Sequence, residues 1–305
     1  MFAAVSPLPN NAADAPYASK DTRVTIGNDG DDTNGVEQDG EINISGIKGN
    51  MSSIGDNSGN SSSAPDWMVA KTVRDFASMN DLDAIANSQL SILNYQFSDV
   101  PLMFHHIFAR VDFVAYATRT LNVSKFKVYI SDDTPADKII NQGNYTTRPD
   151  ADDNPIGWYE TKAATKEETN EQQDPKRFAD YTYLETRSLG TDADYPTLMA
   201  SHVQIPQQWL SPGRELKITI VTTELKEGYT PQPGDDEDAK FVSFTGTIIL
   251  TPENNGTNSW LENHHYTYIL KIDAEGESEI ILSAVNMDKW KWQEGSSTED
   301  EQHNW

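Results

Sequence analysis

Two adjacent histidine pairs, His105-His106 and His264-His265, are the first candidates for chemistry. Imidazole nitrogens are common zinc ligands. Neighbours along a strand point to opposite faces, however, so neither pair can bring both rings to one ion, and the chain has no HExxH helix. The acidic stretch 30–41 is the second candidate. With Gly35 at the sixth position of a calcium loop, Asp32, Asn34 and Glu41 fall on ligand positions. Gly30 then stands where the first carboxylate belongs and Glu37 where the loop is normally apolar, so the ligand set is broken. The stretch reads as a solvated acidic turn. Ser124 and Lys127 give the SxxK spacing of penicillin-binding enzymes. That chemistry needs both residues on one helical turn, and in an alternating strand they face opposite ways. A glycosidic carboxylate pair can be drawn from 48 acidic residues, but nothing marks any two of them. No nucleophile elbow, phosphate loop or dinucleotide fingerprint occurs. The reading is no catalytic residue, no cofactor and no metal site.

Rings are the remaining candidates. Trp158, Tyr159, Tyr181, Tyr183 and Trp209 are read as lying in loops or at strand ends, where sugar-binding proteins stack aromatics on saccharides. The ordinary use of such rings is core or edge packing. Six Asn-x-Ser/Thr sequons, at Asn43, Asn50, Asn60, Asn122, Asn144 and Asn255, mark polar loops.

The elements that must position these residues repeat with period two. Phe126, Val128 and Ile130 alternate with Lys125, Lys127 and Tyr129. Leu216, Ile218 and Ile220 do the same, as do Tyr266, Tyr268, Leu270 and Ile272. Ile107, Ala109, Val111, Phe113 and Ala115 read as the core face of one long strand, and 243–250 and 279–285 add two more. Side chains two apart share a strand face, so each pattern buries one side and wets the other. Pro135, Asn154-Pro155, Pro212-Gly213, 231–234 and 254–256 punctuate them as turns. Short helices are expected only at 69–79 and 163–170. Many strands and few helices predict an all-β antiparallel sandwich.

Composition bounds the rest. The chain has 305 residues, 36% of them hydrophobic and 10% aromatic, enough for a sizeable core. Its 23 basic and 48 acidic residues leave a net charge of −25. A binder of nucleic acid gains affinity from clustered Lys and Arg, so nucleic acid is not an expected partner; anionic lipid surfaces are disfavoured for the same reason. The absence of cysteine excludes disulfides, thiol catalysis and cysteine-ligated zinc. No apolar run is long enough to span a membrane as a helix, and the opening MFAAVSPLPN lacks the charged and apolar regions of an export signal. The expected organisation is an amino-terminal β region over 1–98, with a flexible leader and a Ser/Asn/Gly-rich linker. A larger sandwich over 99–292 and an acidic disordered tail over 293–305 follow it.

Three segments together resemble the fimbrillin family, the pilins of Bacteroidales type V pili. Phe104-His105-His106-Ile107-Phe108-Ala109-Arg110-Val111 resembles the family's F-x-H-x-x-A-[KR]-[VI] strand. Val203-Gln204-Ile205-Pro206-Gln207 is similar to its apolar-Pro-Gln segment. Trp260 with His265-Tyr266-Thr267-Tyr268, then 280–285 and Trp290, resembles its W-x-n-x-x-Y-x-Y strand and closing strand. The region before Ser88 is shorter and more polar than a usual fimbrillin first domain. The resemblance implies a transthyretin-like Greek-key antiparallel β-sandwich, here with a reduced amino-terminal domain. It also implies an extracellular subunit at the cell surface and outer membrane, exported as a lipid-anchored precursor and joined to other pilins by strand exchange. Arg-specific processing would then fall at Arg23, and the donor or closing strand would carry Ile280, Leu282, Ala284, Trp290 and Trp292. The function so implied is a structural, accessory or tip subunit of a pilus that meets a glycan or protein on a host or bacterial surface. The alternatives are a surface carbohydrate-binding sandwich outside any pilus and, further off, a β-rich hydrolase.

Overall fold

Three alternating runs, around Phe126, Ile218 and Tyr268, belong to one eight-stranded sheet in the computed structural model. The structure describes residues 4–6, 23–26, 42–48, 67–70, 104–130, 140–147, 157–163, 177–208, 214–230, 232, 237–251, 259–276 and 279–290. Strands are numbered in chain order. The large sheet runs β10 (Arg177–Leu189), β7 (Leu121–Ile130), β13 (Arg214–Leu225), β14 (Phe241–Leu250), β17 (Glu279–Lys289), β16 (His264–Asp273), β6 (Ala109–Ala117), β11 (Thr197–Gln204). A three-stranded sheet orders β1 (Ala4–Ser6), β4 (Met68–Ala70) and β5 (Phe104–His106). A four-stranded sheet orders β2 (Arg23–Ile26), β3 (Ile42–Lys48), β8 (Ile140–Thr146) and β9 (Gly157–Ala163). A two-residue pair joins β12 (Gln207–Gln208) to β15 (Ser259–Trp260). Among the described residues the only helical element is a 3-10 turn at Glu237–Lys240. No helix among them is long and apolar enough to cross a membrane. The expected all-β class is the observed one.

Alternation explains the large sheet. The inward rows of β6, β7, β13 and β16 are fully buried and form one core. The sheet curls so that β6 faces β7, with the Phe113 and Phe126 rings 5.6 Å apart. Its two edge strands approach through side chains rather than a ladder. The Tyr183 hydroxyl donates to the Met199 carbonyl at 2.6 Å, and Tyr181 meets His202 Nε2 at 2.7 Å. The result is a sandwich that nearly closes into a barrel. Two pairings, β6 with β16 and β14 with β17, are parallel, so the sheet is mixed rather than purely antiparallel.

A second core gathers Ile44, Ile47, Trp67, Val69, Ile107, Phe108, Tyr145 and Ile205, drawing on both sides of residue 98. It also breaks the long strand expected from 107 onward. Ile107 and Phe108 are consecutive and both fully buried, which a flat strand cannot manage because neighbours face opposite ways. The chain bends there. The Ile107 amide donates to the Trp67 carbonyl at 3.0 Å, and alternation resumes at Ala109 in the other core. The helix expected from 69 also fails where it can be seen. Val69 and Ala70 are in β4, paired on both flanks. Likewise Ala163 ends β9 instead of starting a helix; residues 71–79 and 164–170 lie outside the described residues.

Candidate functional site

Among the described residues, β17 is laddered on one flank and has a single strand pair on the other. It pairs antiparallel with β16 at ten positions, from His264 opposite Lys289 to Asp273 opposite Glu279. Toward β14 it has one partner pair, Thr245 with Glu279. Gly246 marks the point of closest approach: a Cβ there would fall on the carbonyl oxygen and Cβ of Ile280. Beyond it the two strands share no further pair. Directly opposed residues of an antiparallel pair share a face, which fixes the inward row of β17. Ile280, Leu282, Val285 and Met287 stand opposite Ile272, Leu270, Tyr268 and Tyr266, four residues of the main core. All four β17 residues are apolar, yet their cover thins along the strand. Ile280 is 4% exposed, Leu282 and Val285 are half-buried, and Met287 is 39% exposed. A row of apolar side chains beside unpaired backbone is the surface to which an extended segment can add.

The residues singled out for the closing strand fall as follows. Ile280 and Leu282 are inward. A bulge between Ile269 and Leu270 in the ladder shifts the register, so Ala284 pairs with Ile269 on the outer face and is exposed, while Val285 takes the inward place. Trp290 follows β17 and packs on the second core, its ring stacked on His106 at 3.8 Å and 6°. Trp292 lies outside the described residues. Arg23 opens β2 opposite Ser45.

The chemical candidates are brought into structural roles. His105 Nε2 lies 3.2 Å from Glu262 Oε1, which also accepts from the Tyr145 hydroxyl at 2.8 Å. His264 Nδ1 meets the Glu262 carbonyl and His265 Nε2 meets Asp112, so no pair converges. Among the described residues no group of three or more metal-ligating side chains assembles. The Ser124 hydroxyl donates to the carbonyls of Val221 and Thr222, whereas Lys127 reaches Asp238 at 3.0 Å. The acidic stretch 30–41 and Trp209 lie outside the described residues.

The aromatics read as lying in loops or at strand ends stand within strands. Trp158 donates from Nε1 to the Ile107 carbonyl at 2.7 Å and packs against Phe108. Tyr181 and Tyr183 are buried between the sheet edges; burial pushes both the Tyr183 phenol and the Tyr145 phenol well above the ordinary range. Only Tyr159 among the described four shows much ring to solvent.

One polar cluster went unread in the sequence. Asp112 is buried on the outer face of β6, where it accepts from Ser201, from the Arg110 guanidinium at 3.1 Å and from His265 at 2.8 Å. Burial alone would raise its carboxyl pKa; the bonds from His265, Arg110 and Ser201 outweigh it and hold the group below the usual carboxylate range. Serine and histidine both bond the carboxylate, whereas a hydrolase triad sets the imidazole between the other two. Val-Asp-Phe within an alternating strand, with Arg two residues earlier, was its only local signal. His202 is fully buried, and burial pushes its imidazole down to about 3, so it is neutral when folded.

No protein-family model matches the chain, and no curated protein does. Solved structures do. A candidate cell adhesion protein from Bacteroides uniformis is 10% identical, with a TM-score of 0.36 over 82% of this chain and 73% of its own. One from Bacteroides ovatus is 12% identical, with a TM-score of 0.35 over 85% and 71%. One from Parabacteroides distasonis is 12% identical, with a TM-score of 0.35 over 62% and 54%.

Proposed function

We propose that this chain is a fimbrillin-like accessory or tip subunit of a bacterial surface pilus, joined to its neighbours by β-strand addition and serving adhesion. The reading places it outside the cell, on the outer membrane, after export as a lipid-anchored precursor. The observation that carries it is the half-paired last strand. β17 returns to its own sheet, as an accessory or tip subunit would keep it, yet offers a bare flank beside Leu282, Val285 and Met287. An extended segment of a second subunit would complete the ladder there and cover the apolar row. The three motif segments support the same reading: the first spans β5 and β6, the second β11 and β12, and the third runs from β15 through β16 and β17 to Trp290.

The test is assembly in solution. The purified chain is treated with an Arg-specific protease and followed by analytical ultracentrifugation. Growth into oligomers that resist detergent is expected, and Met287→Asp should suppress it without unfolding the subunit. A chain that stays monomeric after cleavage would sink the proposal, as would Met287→Asp assembling like the unaltered protein.

A further inference from the structure

The first described strand of this chain and Trp290, which follows β17, both reach one short three-stranded sheet. β1 pairs with β4 through Ala4–Ala70, Val5–Val69 and Ser6–Met68. β4 in turn pairs with β5 through Met68–His106, Val69–His105 and Ala70–Phe104. His106 is one of the three β5 residues paired with β4, and on its ring lies Trp290. The contact is nearly parallel and close to van der Waals separation, a geometry that buries both rings and fixes their orientation. Asn263 ties the same knot from behind. Its side-chain oxygen accepts from the His106 amide at 3.3 Å, its carbonyl accepts from the Trp290 amide at 2.8 Å, and its own amide donates to the Phe108 carbonyl at 2.9 Å. Asn263 holds this triple contact with a φ of 58°, a left-handed conformation that asparagine tolerates better than most residues.

Three features make this joint a coupling rather than a local patch. β1 and β4 are three residues long each, so neither has ladder to spare. Among the described residues β17 has one strand pair on its β14 flank, so there its far end is held by β16 and the Trp290 seat. The Trp290 ring also packs on the second core, to which Trp67 and Val69 beside and within β4 belong. The His106–Trp290 stack therefore links the two ends directly, within the second core that both touch.

We propose that this stack is a clasp: seating of the amino-terminal strand on β4 and closure of the last strand on β16 stabilise one another through it. Opening of β1 loosens β4 and β5, tilts His106 away from Trp290 and frees the far half of β17; release of Trp290 acts in reverse on β4. Thermodynamic coupling of this kind is reciprocal by necessity. The inference concerns the single chain and stands apart from the pilus reading.

Hydrogen exchange measured by mass spectrometry on the full-length protein tests it, in the unaltered chain, Ser6→Pro, Trp290→Ala and the pair combined. Ser6 stands opposite Met68, whose amide faces β1 because that of Val69 faces β5, so proline there removes a ladder donor. Each single change should speed exchange in both 68–70 and 281–289 by roughly tenfold, since both segments open through one joint. In the combined protein exchange at 281–289 should be no faster than in Trp290→Ala alone. His106→Val, which removes the stacked ring while keeping a strand former, should behave as Trp290→Ala does, and Trp290→Phe should restore most of the protection. Unchanged exchange at 281–289 in Ser6→Pro would overturn the clasp. So would unchanged exchange at 68–70 in Trp290→Ala, or effects that simply multiply in the combined protein.

Discussion

The two cores of this protein are stitched in different ways. The main core is drawn mostly from long strands with alternating inward rows, and those of β6, β7, β13 and β16 are held by ladders on both sides. The second core is assembled from one or two residues each of β3, β4, β8 and the bend before β6, and it depends on rings meeting across large separations in the chain. Burial per side chain is similar in the two. What differs is redundancy: removing one residue from a long ladder leaves neighbours in register, whereas removing one from a three-residue strand removes much of that strand's anchorage.

The comparison can be broken by cutting one ring from each core. Phe113→Ala should cost roughly 3–5 kcal/mol, the usual range for a large buried aromatic, and should lower the urea midpoint for the entire large sheet. Trp67→Ala removes as large a side chain, but its effect should stay local, with exchange rising in β3, β4 and β8 while β13 and β16 remain protected. If Trp67→Ala melts everything together, the two cores are one cooperative unit and the contrast disappears.

Smaller changes sharpen it. Gly246→Ala forces a methyl group against the Ile280 backbone where β14 and β17 cross, and should cost about 1–3 kcal/mol, as overpacking does. Acid should act on the main core through His202. Its folded pKa, pushed down to about 3, lies below the unfolded value of 6.5, so below 6.5 the unfolded chain binds the extra proton and stability falls with pH. The loss from this residue between pH 6.5 and 5 should be roughly 1.5–2 kcal/mol, and His202→Gln should flatten that part of the thermal-stability profile. The Asp112 carboxyl, held below its ordinary value of 3.8, contributes stability above that value and loses it only as pH falls further, so the two windows separate. Tyr145→Phe, in the second core, gives up the hydrogen bond to Glu262 and should cost about 1 kcal/mol in denaturant titration.

These differences also explain what could be read from the sequence. Leu216, Ile218 and Ile220, or Tyr266 to Ile272, announce a strand and its buried face because period two is a local property. The same signal misled at Ile107, since alternation continues through a bend that only packing against Trp67 and Ile205 demands. Val69 looked helical because its partners, Val5 and His105, are distant in the chain. At the candidate site, Ile280 and Leu282 were readable as an inward row. The bulge that turns Ala284 outward and Val285 and Met287 inward was not, because it is set by register against β16. Nor does any local pattern announce that β16 runs parallel to β6, or that β17 meets β14 at a single pair. Pairing partners are global facts.

We propose that the β14-facing flank of β17, which past Glu279 has no strand pair among the described residues, is filled by a neighbouring subunit's strand. Residue-resolved hydrogen exchange by NMR over 281–289 tests it most directly, because successive amides of a strand point to opposite flanks. In the isolated chain, amides aimed at β16 should exchange slowly and those between them quickly, and after assembly both sets should be slow. Uniform protection in the isolated chain would contradict the account, as would an alternating pattern that persists after assembly.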